Sequence, residues 1–189
     1  MTIYIHGFGS SGEGTKAKLF RQYYKSINEP FIAPSLSYIP TLAIQTLEEL
    51  IESYNGEVKL IGSSLGGYYA IYLSEKYNVK AVLINPAIFP YNSLERALGQ
   101  ALSFYDASHF QWIEFHLENL KKYEIEVICK ENFMALLQTG DEVLDYKEAA
   151  DKFADANLIV EEGGNHGFEN IEKYFEEIRD FLKVKSNSF

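Results

Sequence analysis

Residues 62–66 read Gly62-Ser63-Ser64-Leu65-Gly66, a G-x-S-x-G with Ser64 at its centre. The pattern arises by chance in about one chain in fifteen of this length at ordinary Gly and Ser frequencies, so its context decides its meaning. An apolar run, Val58-Lys59-Leu60-Ile61, precedes it, and a helical pattern from Leu65 to Tyr77 follows. A serine on a sharp strand-to-helix turn is held in strained backbone with its hydroxyl raised above a sheet, which makes Ser64 a candidate nucleophile. A serine hydroxyl is a weak nucleophile near pH 7, so a general base must lie within hydrogen-bond reach.

Four histidines are available: His6, His109, His116 and His166. His166 lies in Gly-Gly-Asn-His-Gly after the last apolar run and is the best candidate base. His6 flanks a glycine-rich loop and is expected to shape it. His109 and His116 fall in an irregular segment and are expected to be packing or surface residues. A carboxylate must orient the imidazole and stabilise its charged form. Asp141 follows the buried run Met134-Ala135-Leu136-Leu137 and precedes His166, giving the chain order Ser, Asp, His of α/β hydrolases. Glu142 and Asp145 compete with it, although both stand where a carboxylate commonly serves a helix start. The oxyanion of a tetrahedral intermediate needs backbone N–H donors. Leu65, directly after the nucleophile, supplies one, and Phe8 in the His6-Gly7-Phe8-Gly9 loop the other.

The elements that must position these groups follow from apolar periodicity. Short runs at 3–5, 31–33, 58–61, 81–84, 134–137 and 158–160 read as six strands, each ending in a polar or glycine-containing loop. Helical spacing marks 15–27, 41–54, 65–77 and an amphipathic segment from Phe168 to Leu182. Alternating strands and helices specify an α/β architecture, a largely parallel sheet with helices on both faces. His6, Ser64, Asn85, Asp141 and His166 all follow strands, and ligands of such sheets sit outside the strands' carboxyl ends. Residues 86–131 carry Phe89, Tyr91, Phe104, Tyr105, Phe110, Trp112 and Phe115, with helix signals near 93–102 and 109–122. This segment is a candidate cap or lid, or else packs on the sheet. The last six residues read as a frayed tail.

A chain of 189 residues is expected to form one domain. It holds 17 basic and 27 acidic residues, a net charge of −10, which argues against a uniformly basic face for nucleic acid. One cysteine, Cys129, excludes an intramolecular disulfide and a Cys-rich metal site. No cofactor or metal is expected. No signal sequence or apolar stretch of membrane-spanning length is visible, so a cytoplasmic protein without a membrane partner is expected. Lys16, Lys18, Arg21 and Lys25 cluster after the glycine loop; a solvated helix face is expected, with Lys16 and Lys18 as candidate contacts for an anionic substrate group.

Several of these blocks resemble the YqiA-type esterases, small bacterial α/β hydrolases. They are Ile3-Tyr4-Ile5-His6-Gly7-Phe8, the stretch Ile61 to Ala70, Ile84-Asn85-Pro86-Ala87, Gln138 to Tyr146 and Glu162-Gly163-Gly164-Asn165-His166. The likeness runs nearly end to end and is poorest at 97–131. It implies a minimal α/β hydrolase that begins at the third strand of the full-length fold. It also implies a small-molecule ester or thioester substrate, with Ser64, Asp141 and His166 as the triad. The expected activity is a cofactor-independent serine esterase. An acyl-CoA thioesterase is the alternative enzyme, and a non-catalytic binding protein on a hydrolase fold is the alternative from another class.

Overall fold

Short apolar segments that alternate with amphipathic ones have few ways to bury both faces, and a parallel sheet between two helix layers is the one adopted here. The structure is a computed structural model that describes residues 1–183. The tail expected at 184–189 lies outside the described residues.

The chain begins with β1 (Thr2–Ile5), α1 (Thr15–Ser26), β2 (Phe31–Ile32), α2 (Pro40–Ser53), β3 (Lys59–Ser63), α3 (Leu65–Tyr77) and β4 (Ala81–Ile84). The irregular segment then supplies α4 (Pro90–Ser93), β5 (Gly99–Leu102), β6 (His109–Trp112) and α5 (Glu114–Lys121). It is followed by β7 (Phe133–Gln138), α6 (Tyr146–Lys152), β8 (Asn157–Glu161) and α7 (Phe175–Lys183).

Six strands form one parallel sheet in the order β2-β1-β3-β4-β7-β8. The chain winds outward from β1 to β2, then returns to the other side of β1 as β3. The crevice between the β1 and β3 carboxyl ends is therefore the topological switch point. Strand alternation divides the core. Ile3, Ile5, Leu60, Ala81, Leu83, Phe133 and Ala135 face the layer of α2 and α3. Tyr4, Ile61, Val82, Ile84, Met134 and Leu136 face α1 and α7, where they meet Phe20, Tyr24, Phe175 and Ile178. No described helix is long and apolar enough to cross a membrane.

Three expectations are corrected. The helix read at 93–102 is instead a short turn of helix, a 3-10 turn at Glu95–Ala97, and β5 paired antiparallel with β6. Leu98, with ψ 135°, leaves the helical path, Gly99 follows at φ +103°, and the side chains that follow alternate between faces. Likewise 109–112 is strand, so the helix read at 109–122 starts only at Glu114. The C-terminal helix also starts later than its periodicity suggests. Phe168 and Asn170 have φ of +59° and +56°, which no α-helix tolerates, so a 3-10 turn at Ile171–Tyr174 leads into α7.

Candidate active site

Ser64 stands between the end of β3 and the first residue of α3 with φ +55° and ψ −122°. Such backbone costs of order 1–3 kcal/mol and persists only where its surroundings over-determine it. Here they do. The Ser64 N–H donates to the Ile84 carbonyl at 3.1 Å, and its carbonyl accepts from Gly67 N–H at 2.9 Å and Ala87 N–H at 3.0 Å. The flanking glycines are required by close approach: a Cβ on Gly62 would overlap the Gly66 carbonyl, and one on Gly66 would overlap the Ile5 carbonyl of the neighbouring strand.

The structure brings Ser64, His166 and Asp141 together. Ser64 Oγ lies 3.0 Å from His166 Nε2, and His166 Nδ1 lies 2.8 Å from Asp141 Oδ2. A proton on Nδ1 donates to the carboxylate and leaves Nε2 to accept from the serine hydroxyl. Asp141 also accepts from the N–H groups of Val143 at 2.8 Å and Leu144 at 2.9 Å. Burial alone would push its carboxyl pKa up, but the bonds from His166, Leu144 and Val143 outweigh that and hold it below the usual carboxylate value.

The competing carboxylates stand elsewhere. Glu142 accepts the backbone N–H of His166 at 3.0 Å, so it holds the histidine's main chain and not its ring. Asp145 caps α6, accepting from Lys147 N–H at 3.0 Å. The other histidines are also apart from Ser64. His6 donates from Nδ1 to the Gly7 carbonyl at 2.9 Å and accepts Leu36 N–H on Nε2 at 2.9 Å, tying the β1 loop to the segment after β2. Burial, opposed only by the Gly7 carbonyl, lowers its pKa. His109 is exposed on β6, and His116 is buried against Trp112 and Tyr38.

Phe8 and Leu65 line the cavity that holds Ser64 and His166, and among the described residues neither N–H has an acceptor. Phe8 is fixed by aromatic packing, its ring edge-on to Trp112 at 4.8 Å and to Phe110 at 5.5 Å. Phe104 N–H donates to the Gly9 carbonyl at 2.7 Å, so the β5–β6 hairpin also grips the loop through its backbone.

Ser64 opens onto two cavities. One, of about 290 Å³, is lined mainly by apolar side chains, among them Ala87, Pro90, Leu94, Val143 and Leu144. The other, of about 560 Å³, is lined by Ser10, Thr15, Lys16, Asn165 and Glu169 as well as Ser64 and His166. Phe104, 73% exposed, borders both. Of the two basic residues singled out in the sequence, Lys16 faces the larger cavity, whereas the exposed Lys18 borders a separate depression. No group of His, Cys, Asp and Glu gathers as a metal site among the described residues.

Two buried amides hold the histidine loop, and sequence reasoning gave them no role. Asn85 Nδ2 donates to the carbonyls of Asn165 at 3.0 Å and His166 at 3.3 Å, while its Oδ1 accepts Gln138 N–H at 2.9 Å. Gln138 Oε1 accepts from Asn165 N–H at 3.1 Å and Glu169 N–H at 2.9 Å, and its Nε2 donates to the Glu169 carbonyl at 3.0 Å. The available signal was Gln138 itself, a polar residue ending an otherwise apolar buried strand, which must find partners there.

The model of an uncharacterised protein family, UPF0227, matches residues 1–183. The chain belongs to this family. The UPF0227 protein YcfP of Salmonella paratyphi A is 26% identical over 187 residues, covering 96% of this chain and 98% of that one. Among solved structures, mouse alpha/beta hydrolase domain-containing protein 10 superposes with a TM-score of 0.74 at 17% identity, covering 95% of this chain and 86% of that one. Est1E from Butyrivibrio proteoclasticus, solved with ferulic acid bound, gives 0.70 at 12% identity over 96% and 87%. The fold is the α/β hydrolase fold, in agreement with the family resemblance carried by the sequence blocks.

Proposed function

We propose that this UPF0227 member is a serine hydrolase of carboxylic esters. The observation that carries the reading is the hydrogen-bonded chain from Ser64 Oγ through His166 to Asp141, at 3.0 and 2.8 Å, on a positive-φ serine. In this reading His166 Nε2 takes the Ser64 proton as Oγ attacks the ester carbonyl. Asp141 stabilises the imidazolium, and the N–H groups of Phe8 and Leu65 receive the oxyanion. The tetrahedral intermediate collapses to an acyl-enzyme as His166 returns the proton to the leaving alcohol. Water, deprotonated by the same histidine, then attacks and releases the acid and the free serine. The apolar cavity suits a hydrocarbon acyl group, and esterases among the fold's neighbours agree with this chemistry.

A fluorophosphonate probe should label the wild-type protein and not Ser64→Ala, and nitrophenyl esters should be turned over by the former alone. Folded, pure protein that neither reacts with the probe nor cleaves any ester would overturn the proposal and favour a binding role for the fold.

A further inference from the structure

The larger cavity contains a charge that ester hydrolysis does not itself require. Lys16, in the first turn of α1, is half-buried, and among the described residues it is the one cation lining that cavity with Ser64 and His166. It forms no ion pair among the described residues. Its Nζ donates to the Gly167 carbonyl at 2.7 Å, leaving two of three N–H donors for other acceptors. Desolvation lowers its pKa to about 8 despite the favourable charge of Asp141. A desolvated ammonium with spare donors and no carboxylate partner is stabilised by an incoming anion. The carboxylates that also border the cavity, Glu169 and Glu172, are exposed, so water screens them more than it screens Lys16.

We infer that Lys16 is a specificity residue that pairs with an anionic group, a carboxylate or phosphate, carried on the leaving-alcohol side of the ester; this rests on the esterase reading above. The side follows from the proton path. His166 must protonate the leaving oxygen, and Lys16 is bonded to the residue directly after His166. The acyl group has the separate, mainly apolar cavity that Ser64 also lines.

The test compares three butyrate esters of one phenol, substituted at the para position with carboxymethyl, phosphonomethyl or the neutral carbamoylmethyl group. Dissociation constants are measured by calorimetry in a Ser64→Ala background, with Lys16 or with Lys16→Gln or Lys16→Arg, and hydrolysis is measured with Ser64 intact. At least one anionic ester should bind about tenfold or more tightly than the amide. The tighter of the two names the anion. The preference should fall to near unity in Lys16→Gln and survive in Lys16→Arg. No binding of either anionic ester, no preference over the amide with Lys16 present, or a preference unchanged in Lys16→Gln would overturn the inference. Hydrolysis without preference would remove the anionic site and leave the esterase. A Lys16-dependent preference without hydrolysis would keep the binding site and remove the esterase.

Discussion

At the scale of single residues, three neighbouring carboxylates have separable duties. Asp141 meets the His166 ring, Glu142 meets its main chain, and Asp145 caps a helix. Asp141→Asn preserves the shape but favours the wrong imidazole tautomer, so kcat should fall about 10⁴-fold with a small change in KM. Asp145→Ala should instead cost about 0.5–2 kcal/mol of stability, read from urea unfolding, with kcat near wild type. If the two variants exchanged these effects, the assignment of Asp141 would be wrong. The order Ser64, Asp141, His166 was legible because each residue ends a strand, and a parallel sheet gathers strand ends at one edge. The division of labour among the carboxylates was not, because it depends on which oxygen faces the ring and which faces a backbone N–H.

At the scale of elements, the histidine loop has almost no regular structure and is held by side-chain amides. Asn85 has the left-handed φ of +40° and points two donors at two carbonyls. Asn85→Asp keeps the size but offers only acceptors to those carbonyls, so it should move the loop. A displacement near 1 Å can cost ~10²-fold in rate. Kinetics of Asn85→Asp should show that loss mainly in kcat, together with a lowered melting temperature; an unaltered kcat would show that the loop holds its place without the amide.

The β5–β6 hairpin plays the matching part for the Phe8 loop. Trp112 is fully buried under Phe8, so Trp112→Ala should cost about 3–5 kcal/mol and loosen Phe8. Trp112→Phe, which retains a ring, should recover most of the stability in thermal melts and much of the kcat. The hairpin was missed because its strands are short and mix polar with apolar residues. Yet Phe110 and Trp112 are two apart, the strand period, and His109 and Gln111, which alternate with them, are exposed. The four central sheet strands were legible for the opposite reason: buried on both faces, they read as apolar runs, and the part-buried edge strands β2 and β8 kept short apolar runs of their own.

At the scale of the whole molecule, the two buried histidines make stability depend on pH. Burial lowers the pKa of both His6 and His116 from the ordinary value of 6.5. At a pH between the folded and unfolded values the unfolded chain binds more protons, so the stability each histidine contributes is present above about pH 6.5 and is lost as pH falls towards the folded value. The slope reaches at most about 1.4 kcal/mol per pH unit for each group. Asp141, held below 3.8, adds a second loss in more acidic solution, as pH falls from that value through its folded one. For His6 the cause is geometric as well as dielectric, since a proton on Nε2 would face the Leu36 N–H that this nitrogen now accepts. Urea unfolding at pH 8.0, 6.5 and 5.5 should therefore show equal stability at the upper two values to within the onset of titration, and a drop at the lowest. His6→Gln loses the ring that joins the Gly7 carbonyl to the Leu36 N–H, so it should be less stable than wild type at pH 8.0, and because it takes up no proton it should show a smaller drop at pH 5.5. Parallel curves for the two proteins would mean that His6 carries no share of the acid sensitivity, and that the link between the β1 loop and Leu36 survives protonation.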